Sequence, residues 1–419
     1  MQRRLCVANF HTLKAPYPLK APYPLKALFP LKALFPLQAL VALVILVASA
    51  AAVAMEAQVI PPPPSVAASS YLLIDADTGK VLVEHNAREP LPPASLTKIM
   101  TAFIAAVEIE SGRISLQDQV PISVNAWQTE GSRMFVREGT TVSLEDLLKG
   151  IIIQSGNDAS VAVAEHIAGS ESAFADMMNQ QAALLGMTTT HFMNATGLPD
   201  EEHYTSAWDL SLLTRALIQR YPDHYAMYAE RSFVFNNIDQ PNRNRLLWRD
   251  RTVDGVKTGH TEAAGYCLVA SAVRENMRLI SVVMGTESDE ARMRESQKLF
   301  SYGFRYFETQ QLYEAGVPLK TVAVWYGETD SVELGVADSV RVTIPRGRYE
   351  NLAAELEVVR VVEAPLTAGE RVGELILSLD DEVIQRAPLI ALTDVAEAGL
   401  LGRFFDGARL FFASFFADE

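Results

Sequence analysis

Short apolar runs rich in β-forming residues predict strands in two separate parts of the first three hundred residues. Residues 71–75 and 81–83 are short β-rich runs on either side of a turn that contains Gly79, which predicts a hairpin. Residues 265–272 and 279–285 have the same character and the spacing of a second pair of strands. This part of the chain is therefore expected to contain a sheet whose strands come from distant parts of the sequence.

Longer apolar runs predict helices between and after these strands. After Pro92 and Pro93 the chain is almost uniformly apolar to residue 107, enough for about four helical turns. Residues 144–153 and 159–167 are helical in character and enclose the polar stretch 154–158, which is expected at a junction of two helices. A mixed aromatic helix over 299–307 is expected to close this domain.

The pattern changes beyond Gly316. Four segments alternate with a period near two and are separated by turn residues: 322–325, 340–344, 356–361 and 374–377. They predict a small all-β domain of roughly 80 residues, placed at 313–394 and without obvious catalytic groups.

The first 66 residues have the features of a leader and a linker. A proline-containing six-residue repeat occupies most of 1–37, and an apolar run over 39–54 ends in Ala52-Val53-Ala54, a small-x-small cleavage pattern. We interpret 1–55 as a leader with a secretory signal and 56–66 as a proline-rich linker. An uncleaved N-terminal anchor is the alternative, and both place the protein outside the cytoplasm.

The last residues suggest an amphipathic helix at 395–419. Pairs of Leu and Phe from Leu400 to Phe416 fall on one face, opposite Arg403, Asp406 and Arg409. Such a helix suits a membrane surface, while docking on the β domain is the alternative.

Composition limits the choice of partners. The net charge of −15 argues against nucleic acid, which requires a basic face. Cys6 and Cys267 are the two cysteines, and the first falls in the leader, so the remaining chain has no disulfide partner for the second.

Candidate chemistry is found at the start of the first long helix. Ser95 and Lys98 are three residues apart and share a helix face. The lysine can activate the serine only when neutral, which requires its pKa to fall by roughly 3 units, or about 4 kcal/mol, through burial and a second cation. A helical serine followed by a solvated lysine is the alternative for this pair taken alone.

Two further polar clusters could complete a site. Ser155-Gly156-Asn157 lies at the predicted helix junction, and Lys257-Thr258-Gly259 at the start of a predicted strand. Taken alone, the first is typical of a turn and the second of a solvated lysine. We also expect Gly259 to let a substrate backbone approach the strand closely.

The three motifs in this order resemble the serine acyltransferases that include penicillin-binding proteins and serine β-lactamases. Val253–Thr261, the segment 242–244 and the segment 303–308 are more closely similar to the low-molecular-mass D-alanyl-D-alanine carboxypeptidases. This resemblance covers roughly residues 66–419. It implies an α+β fold: a DD-peptidase domain at 67–312, with an antiparallel sheet flanked by helices and an all-helical lobe, then a β-sandwich domain and the C-terminal helix.

The resemblance also implies roles for individual residues. Ser95 would be the nucleophile, Lys98 its base, and Ser155 a proton relay toward the leaving amine. The substrate-binding residues would be Asn157, Lys257, Thr258, Gly259, His260 and Arg292. Lys257 would be the second cation, and Arg292 would serve the substrate carboxylate, with Arg294 as the competing assignment.

The function implied is removal of the terminal D-alanine from peptidoglycan muropeptides at the periplasmic face of the inner membrane. No cofactor or metal is expected, and β-lactams are expected to acylate the serine. A β-lactamase is one alternative, although the chain lacks the Glu-x-x-Leu-Asn segment of class A enzymes. A catalytically silent peptidoglycan-binding protein is the other.

Overall fold

The computed structural model describes residues 60–400 together with Arg403 and Asp406. The predicted leader and signal peptide lie outside these residues, as does most of the predicted C-terminal helix. Val395 and Glu397 make isolated β-bridges to Leu366 and Gly327, so helical geometry does not begin at 395 as predicted. In the part of the chain that is described, no helix combines the length and the hydrophobicity that crossing a membrane requires.

A five-stranded antiparallel sheet forms the centre of the first domain, with strand order β2-β1-β9-β8-β7. Its strands are β1 (Ser70–Asp75), β2 (Val81–His85), β7 (Val253–Thr261), β8 (Gly265–Arg274) and β9 (Met277–Thr286). The predicted hairpin and the predicted strand pair are therefore neighbours, because Leu72 of β1 lies opposite Val282 of β9. The predicted lysine motif is on β7, which is an edge strand.

Side-chain alternation gives this sheet two apolar faces. Leu72 and Val282 point into the larger core, which the helices cover. Leu73 and Val283 point to the other face, where they pack with Phe300 of the long helix α9 (Asp289–Tyr306). The predicted aromatic helix at 299–307 is thus the second half of a longer helix.

Helices and two small hairpins between β2 and β7 build the helical lobe. The helices are α1 (Lys98–Glu110), α2 (Val124–Gln128), α3 (Leu144–Lys149), α4 (Asn157–Ala168), α5 (Glu171–Leu184), α6 (Ala207–Arg220), α7 (Pro222–Tyr225) and α8 (Leu246–Arg249). The hairpin strands are β3 (Gln119–Pro121), β4 (Thr141–Ser143), β5 (Ser232–Phe235) and β6 (Ile238–Pro241). One turn of π-helix, Gly150–Gln154, ends the predicted helix over 144–153 just before the polar junction.

The second domain contains a five-stranded sheet of order β11-β12-β16-β15-β14 and a two-stranded sheet of β10 and β13. The strands are β10 (Phe307–Tyr313), β11 (Lys320–Ala323), β12 (Ser331–Val336), β13 (Val340–Pro345), β14 (Leu352–Val358), β15 (Arg371–Leu379) and β16 (Glu382–Ala391). Val342 of β13 shares a core with Leu375 and Leu377 of β15, so the two sheets pack face to face.

A polar network joins the two domains. The buried carboxylate of Asp75 accepts hydrogen bonds from the hydroxyls of Thr78 and Thr309, at 3.0 and 2.7 Å. Thr343 lies 2.6 Å from Thr78 and 3.1 Å from Thr309, and Arg341 forms an ion pair of 2.7 Å with Asp77. Buried polar groups that are satisfied in this way fix one orientation of their partners, so the hairpin β1-β2 is tied to β10 and β13.

Candidate active site

Ser95 lies in a tight 3-10 turn, Ala94–Thr97, that leads directly into α1. The α-helix was expected to begin at Ser95, but Ala94 has a left-handed backbone (φ +49°) and the α-helical pattern starts at Lys98. The helix that follows is buried along most of its length, as predicted. Ser95 itself is half-exposed, so its hydroxyl is open to a substrate while the lysine behind it is not.

The amine of Lys98 is fully enclosed at the centre of the site. Its side chain is 1% exposed, and Nζ lies 3.0 Å from Ser95 Oγ, 2.7 Å from Asn157 Oδ1 and 2.5 Å from the carbonyl oxygen of Thr196. Burial, together with the positive charge of Arg243, lowers the pKa of Lys98 from 10.5 to about 7. The neutral amine that the sequence argument required is therefore well populated at neutral pH.

The hydrogen-bond inventory fixes how that neutral amine is oriented. A neutral lysine amine has two N–H donors and one lone pair. Asn157 Oδ1 and the Thr196 carbonyl can only accept, so they take both hydrogens. The lone pair is left for the hydroxyl of Ser95, which is the direction that proton removal from this serine requires.

Ser155 is held next to the second lysine. It follows the π-helical turn in a left-handed conformation (φ 66°, ψ 34°), which is strained for a residue other than glycine and is typical of functional positions. Its Oγ accepts a hydrogen bond of 2.9 Å from Lys257 Nζ. Burial lowers the pKa of Lys257 well below its usual value, and repulsion from Lys98, Arg243 and Arg292 lowers it further. Arg243 is thus a cation that lowers the pKa of both lysines. The resemblance had assigned the role of second cation beside Lys98 to Lys257.

Asn157 is the first residue of α4 and links three parts of the site. Its Oδ1 accepts from Lys98, and its Nδ2 donates to the carbonyl of Glu130 at 2.6 Å. The neighbouring Asp158 is buried, and its carboxylate accepts the backbone N–H groups of Met134 and Phe135 at 2.9 Å each. The loop 130–136 is therefore fixed against the start of α4, a contact the sequence did not reveal.

A glycine is needed at position 259 because the strand packs closely against another part of the protein. A Cβ at this position would lie 2.9 Å from the carbonyl oxygen of Pro93, 3.2 Å from Leu96 Cγ and 3.3 Å from the Ala94 Cβ. The missing side chain thus lets β7 pack against the Ser95 turn of the protein itself. The close approach of a substrate backbone to this strand stays a prediction.

The remaining predicted residues lie around the same strand. Thr258 is buried, and His260 is exposed with its ring centroid 4.0 Å from that of Tyr266. Arg292 is 7% exposed and donates to the carbonyl of Gly259 at 3.0 Å, while its other end pairs with Asp289.

The competing residue, Arg294, pairs instead with Glu295 at 3.0 Å and has a half-exposed side chain. Of the two candidates, Arg292 is therefore the one that contacts β7.

The buried His203 supports the turn that carries Ser95, and the sequence did not indicate it. Its Nδ1 accepts from the backbone N–H of Met193 at 3.3 Å, so its Nε2 carries the proton and donates to Thr97 Oγ1 at 2.9 Å. That hydroxyl in turn donates to the carbonyl of Ala94 at 2.9 Å. Burial lowers the pKa of His203 to about 4, which keeps the ring neutral at ordinary pH.

The structure thus forms two hydrogen-bonded groups, Ser95 with Lys98 and Asn157, and Ser155 with Lys257. The charge of Lys98 lowers the pKa of Lys257, and the charge of Arg243 lowers the pKa of both lysines, so the two groups lie close together. Among residues 60–400, 403 and 406, no group of three or more His, Cys, Asp or Glu side chains is arranged to hold a metal ion. The geometry fits a serine hydrolase that uses a lysine as its base.

Comparison with known proteins identifies the family. Residues 56–288 match the model of the D-alanyl-D-alanine carboxypeptidase family, peptidase family S11, and residues 307–397 match that of the penicillin-binding protein 5 C-terminal domain. The chain therefore belongs to the D-alanyl-D-alanine carboxypeptidase family, and it is a serine-type peptidase. This confirms the family predicted from the three motifs and the two folded domains of the predicted architecture.

Several relatives and solved structures are similar over most of the chain. D-alanyl-D-alanine carboxypeptidase DacC of Escherichia coli K12 is 44% identical over 84% of this chain and 90% of its own. DacA of the same organism is 42% identical over 85% and 91%. The crystal structure of penicillin-binding protein 5 from Haemophilus influenzae has a TM-score of 0.77 at 41% identity and covers 80% of this chain and 100% of its own.

Proposed function

We propose that this protein removes the C-terminal D-alanine from peptidoglycan pentapeptides through an acyl intermediate on Ser95. One observation carries the proposal: the buried amine of Lys98, whose pKa is lowered to about 7, lies 3.0 Å from the Ser95 hydroxyl. Relatives at 40–44% identity are named D-alanyl-D-alanine carboxypeptidases, which supports the same substrate class here.

The first half of the reaction forms an ester. Ser95 Oγ attacks the carbonyl carbon between the two D-alanines while its proton passes to Lys98 Nζ. The C–N bond then breaks, and the proton taken up by Lys98 passes by way of Ser155, next to Lys257, to the leaving amine, which returns Lys98 to its neutral form. The backbone N–H groups of Ser95 and His260 would stabilise the oxyanion, each contributing roughly a hundredfold to a thousandfold in rate.

The second half hydrolyses the ester. Water attacks the acyl carbon and gives its proton to Lys98, the bond from the carbon to Ser95 Oγ breaks, and Lys98 returns the proton to that oxygen. The sum is one peptide bond and one water consumed, with a carboxylic acid and free D-alanine formed. Lys98 serves as base in both halves, so its pKa near 7 suits both.

The other predicted residues would bind substrate. Asn157 would hold the peptide amide, and Lys257 with Thr258 would face the terminal carboxylate. Arg292 contacts the carbonyl of Gly259, so its charge would attract that carboxylate from behind the strand. His260 is exposed beside the same strand and can contact the bound peptide.

The direct test is release of D-alanine from a purified muropeptide pentapeptide. The proposal predicts stoichiometric release, and no release would favour a silent peptidoglycan-binding protein. Nitrocefin separates the remaining alternative, because a β-lactamase turns it over rapidly whereas this protein is expected to form a long-lived adduct. A similar structure, penicillin-binding protein D2 from Listeria monocytogenes, was solved in an ampicillin-bound form.

We also propose that the protein acts at the periplasmic face of the inner membrane. The apolar run over 39–54 supports export, and the Phe-rich segment near the end supports attachment to the membrane surface. Deleting residues 397–419 should release the mature protein from membranes. Continued sedimentation with membranes would point to an uncleaved N-terminal segment instead.

A further inference from the structure

An open groove lies beside the proposed catalytic residues and is not used by the mechanism above. It has a volume of about 590 Å³ and is lined by Gln154, Pro241, Arg243, Arg245, Trp248 and Arg249, with Asn242. Three guanidinium groups therefore line one small groove on a protein whose net charge is −15. A local reversal of sign on such an acidic protein favours an anionic ligand.

The three arginines are not neutralised equally. Arg249 forms a bidentate ion pair with Glu290, at 2.6 and 3.1 Å. Arg245 lies 3.6 Å from Asp289, its side chain is 68% exposed, and Asp289 is also paired with Arg292.

Within residues 60–400, 403 and 406, Arg243 forms no salt bridge, since its one side-chain hydrogen bond goes from Nε to the carbonyl of Gln154. The groove therefore has positive charge left for a ligand.

Local structure explains why these side chains face outward. In the single turn α8, Leu246 and Leu247 are buried, which directs Trp248 and Arg249 to the surface. Trp248 is 46% exposed, so its ring offers an apolar contact beside the guanidinium groups. An arginine cluster with an aromatic ring suits a peptide that carries carboxylates on a partly apolar backbone.

The groove lies next to Ser155, the residue proposed to protonate the leaving amine. Gln154 immediately precedes Ser155, and the backbone N–H of Arg243 donates to the carbonyl of Ile153 at 3.2 Å. The charge of Arg243 also lowers the pKa of both Lys98 and Lys257, so the guanidinium lies close to the reacting groups. In the proposed reaction Ser155 faces the leaving amine, and Gln154, its neighbour in the chain, lines the groove.

We infer that this groove is a leaving-group subsite for residues or peptides that carry an additional carboxylate. The inference rests on the proposed function, because it assumes that Ser155 protonates the leaving amine. A free D-alanine is too small to extend into the groove. A leaving amine with a second carboxylate would reach its arginines, so the enzyme would accept acidic leaving groups as well as D-alanine.

The test compares two substrates that differ only in the leaving residue. These are diacetyl-L-lysyl-D-alanyl-D-alanine and diacetyl-L-lysyl-D-alanyl-D-glutamate, and the quantity is the ratio of kcat/KM for D-glutamate to that for D-alanine. Arg245→Gln should lower this ratio about threefold, the effect of one exposed arginine–carboxylate contact. Raising the salt concentration should lower the wild-type ratio in the same direction.

Arg251→Gln is the matched control, since Arg251 is exposed on the same segment but does not line the groove. An equal ratio in wild type, Arg245→Gln and Arg251→Gln overturns the inference. The inference is also overturned if Arg245→Gln binds phosphatidylglycerol vesicles more weakly than wild type while the ratio of kcat/KM values is unchanged. That result would make the groove a lipid-binding surface. If wild type released neither residue, the proposed function would fail, which is a different outcome.

Discussion

The pH dependence of acylation can be shifted by changing one charge near Lys98. The positive charge of Arg243 lowers the pKa of this lysine, whereas Asp158 and Glu171 raise it, and Arg243 Nε is hydrogen-bonded to the Gln154 carbonyl. Arg243→Gln removes the charge while keeping a polar side chain. Arg243→Lys keeps the charge and is the matched control.

The expected size follows from the state of the amine. With a pKa of about 7, roughly half of Lys98 is neutral at pH 7, against roughly one molecule in three thousand for an ordinary lysine. One charge in partly buried surroundings contributes on the order of 1 kcal/mol, or about 0.7 pKa unit. Because Arg243→Gln removes a repelling cation, the pKa of Lys98 should rise by about that much.

The assay is the second-order rate of acylation by a fluorescent penicillin between pH 5 and pH 9. The rate should rise with pH as Lys98 loses its proton, with a midpoint near 7 in the wild type and on the order of 0.7 pH unit higher in Arg243→Gln. At pH 6 the variant should therefore react about fivefold more slowly relative to its own plateau. The reasoning is refuted if Arg243→Gln keeps the wild-type midpoint, or if Arg243→Lys shifts as far.

Two further substitutions test the network around the nucleophile. Asn157→Asp places a carboxylate where Oδ1 now lies 2.7 Å from Lys98 Nζ, so it should raise the pKa of Lys98 by about 1 to 3 units. Acylation at pH 7 should then slow by about fivefold or more, with recovery at higher pH that Asn157→Ala does not show. His203→Gln keeps a donor to Thr97 and an acceptor for Met193 but cannot be protonated. The pKa of His203 falls from 6.5 to about 4 on folding, so the wild type should lose up to about 3 kcal/mol of unfolding free energy relative to this variant between pH 7 and pH 4. The free energy of unfolding is measured by urea titration at each pH. The same pH dependence in both proteins would contradict a neutral, buried His203.

The sequence predicted those parts of the site that depend on short-range patterns. Ser95 and Lys98 are one turn apart, and the helix after them is buried, as the apolar run indicated. The strands β1, β2, β8 and β9 follow from short apolar runs rich in β-forming residues, and the chain order of the three motifs indicated the family. Local spacing and side-chain chemistry were sufficient for these elements.

The remaining features depend on contacts between distant residues. The Thr196 carbonyl that accepts from Lys98 is a backbone group, so no residue type indicates it. The packing of Gly259 against Pro93 depends on how β7 meets the nucleophile turn, which the pattern of either segment does not contain. In the second domain, β10, β12 and β16 were missed, and β14 (Leu352–Val358) overlaps the segment predicted at 356–361 but begins and ends a few residues earlier.

The central claim is that the neutral Lys98 activates the Ser95 hydroxyl as a nucleophile. It is tested most directly by treating the protein with a penicillin, digesting it with trypsin and locating the added mass by fragmentation. The account predicts one adduct on Ser95 and no adduct in Ser95→Ala. An adduct on another residue, or a labelled Ser95→Ala protein, would contradict it.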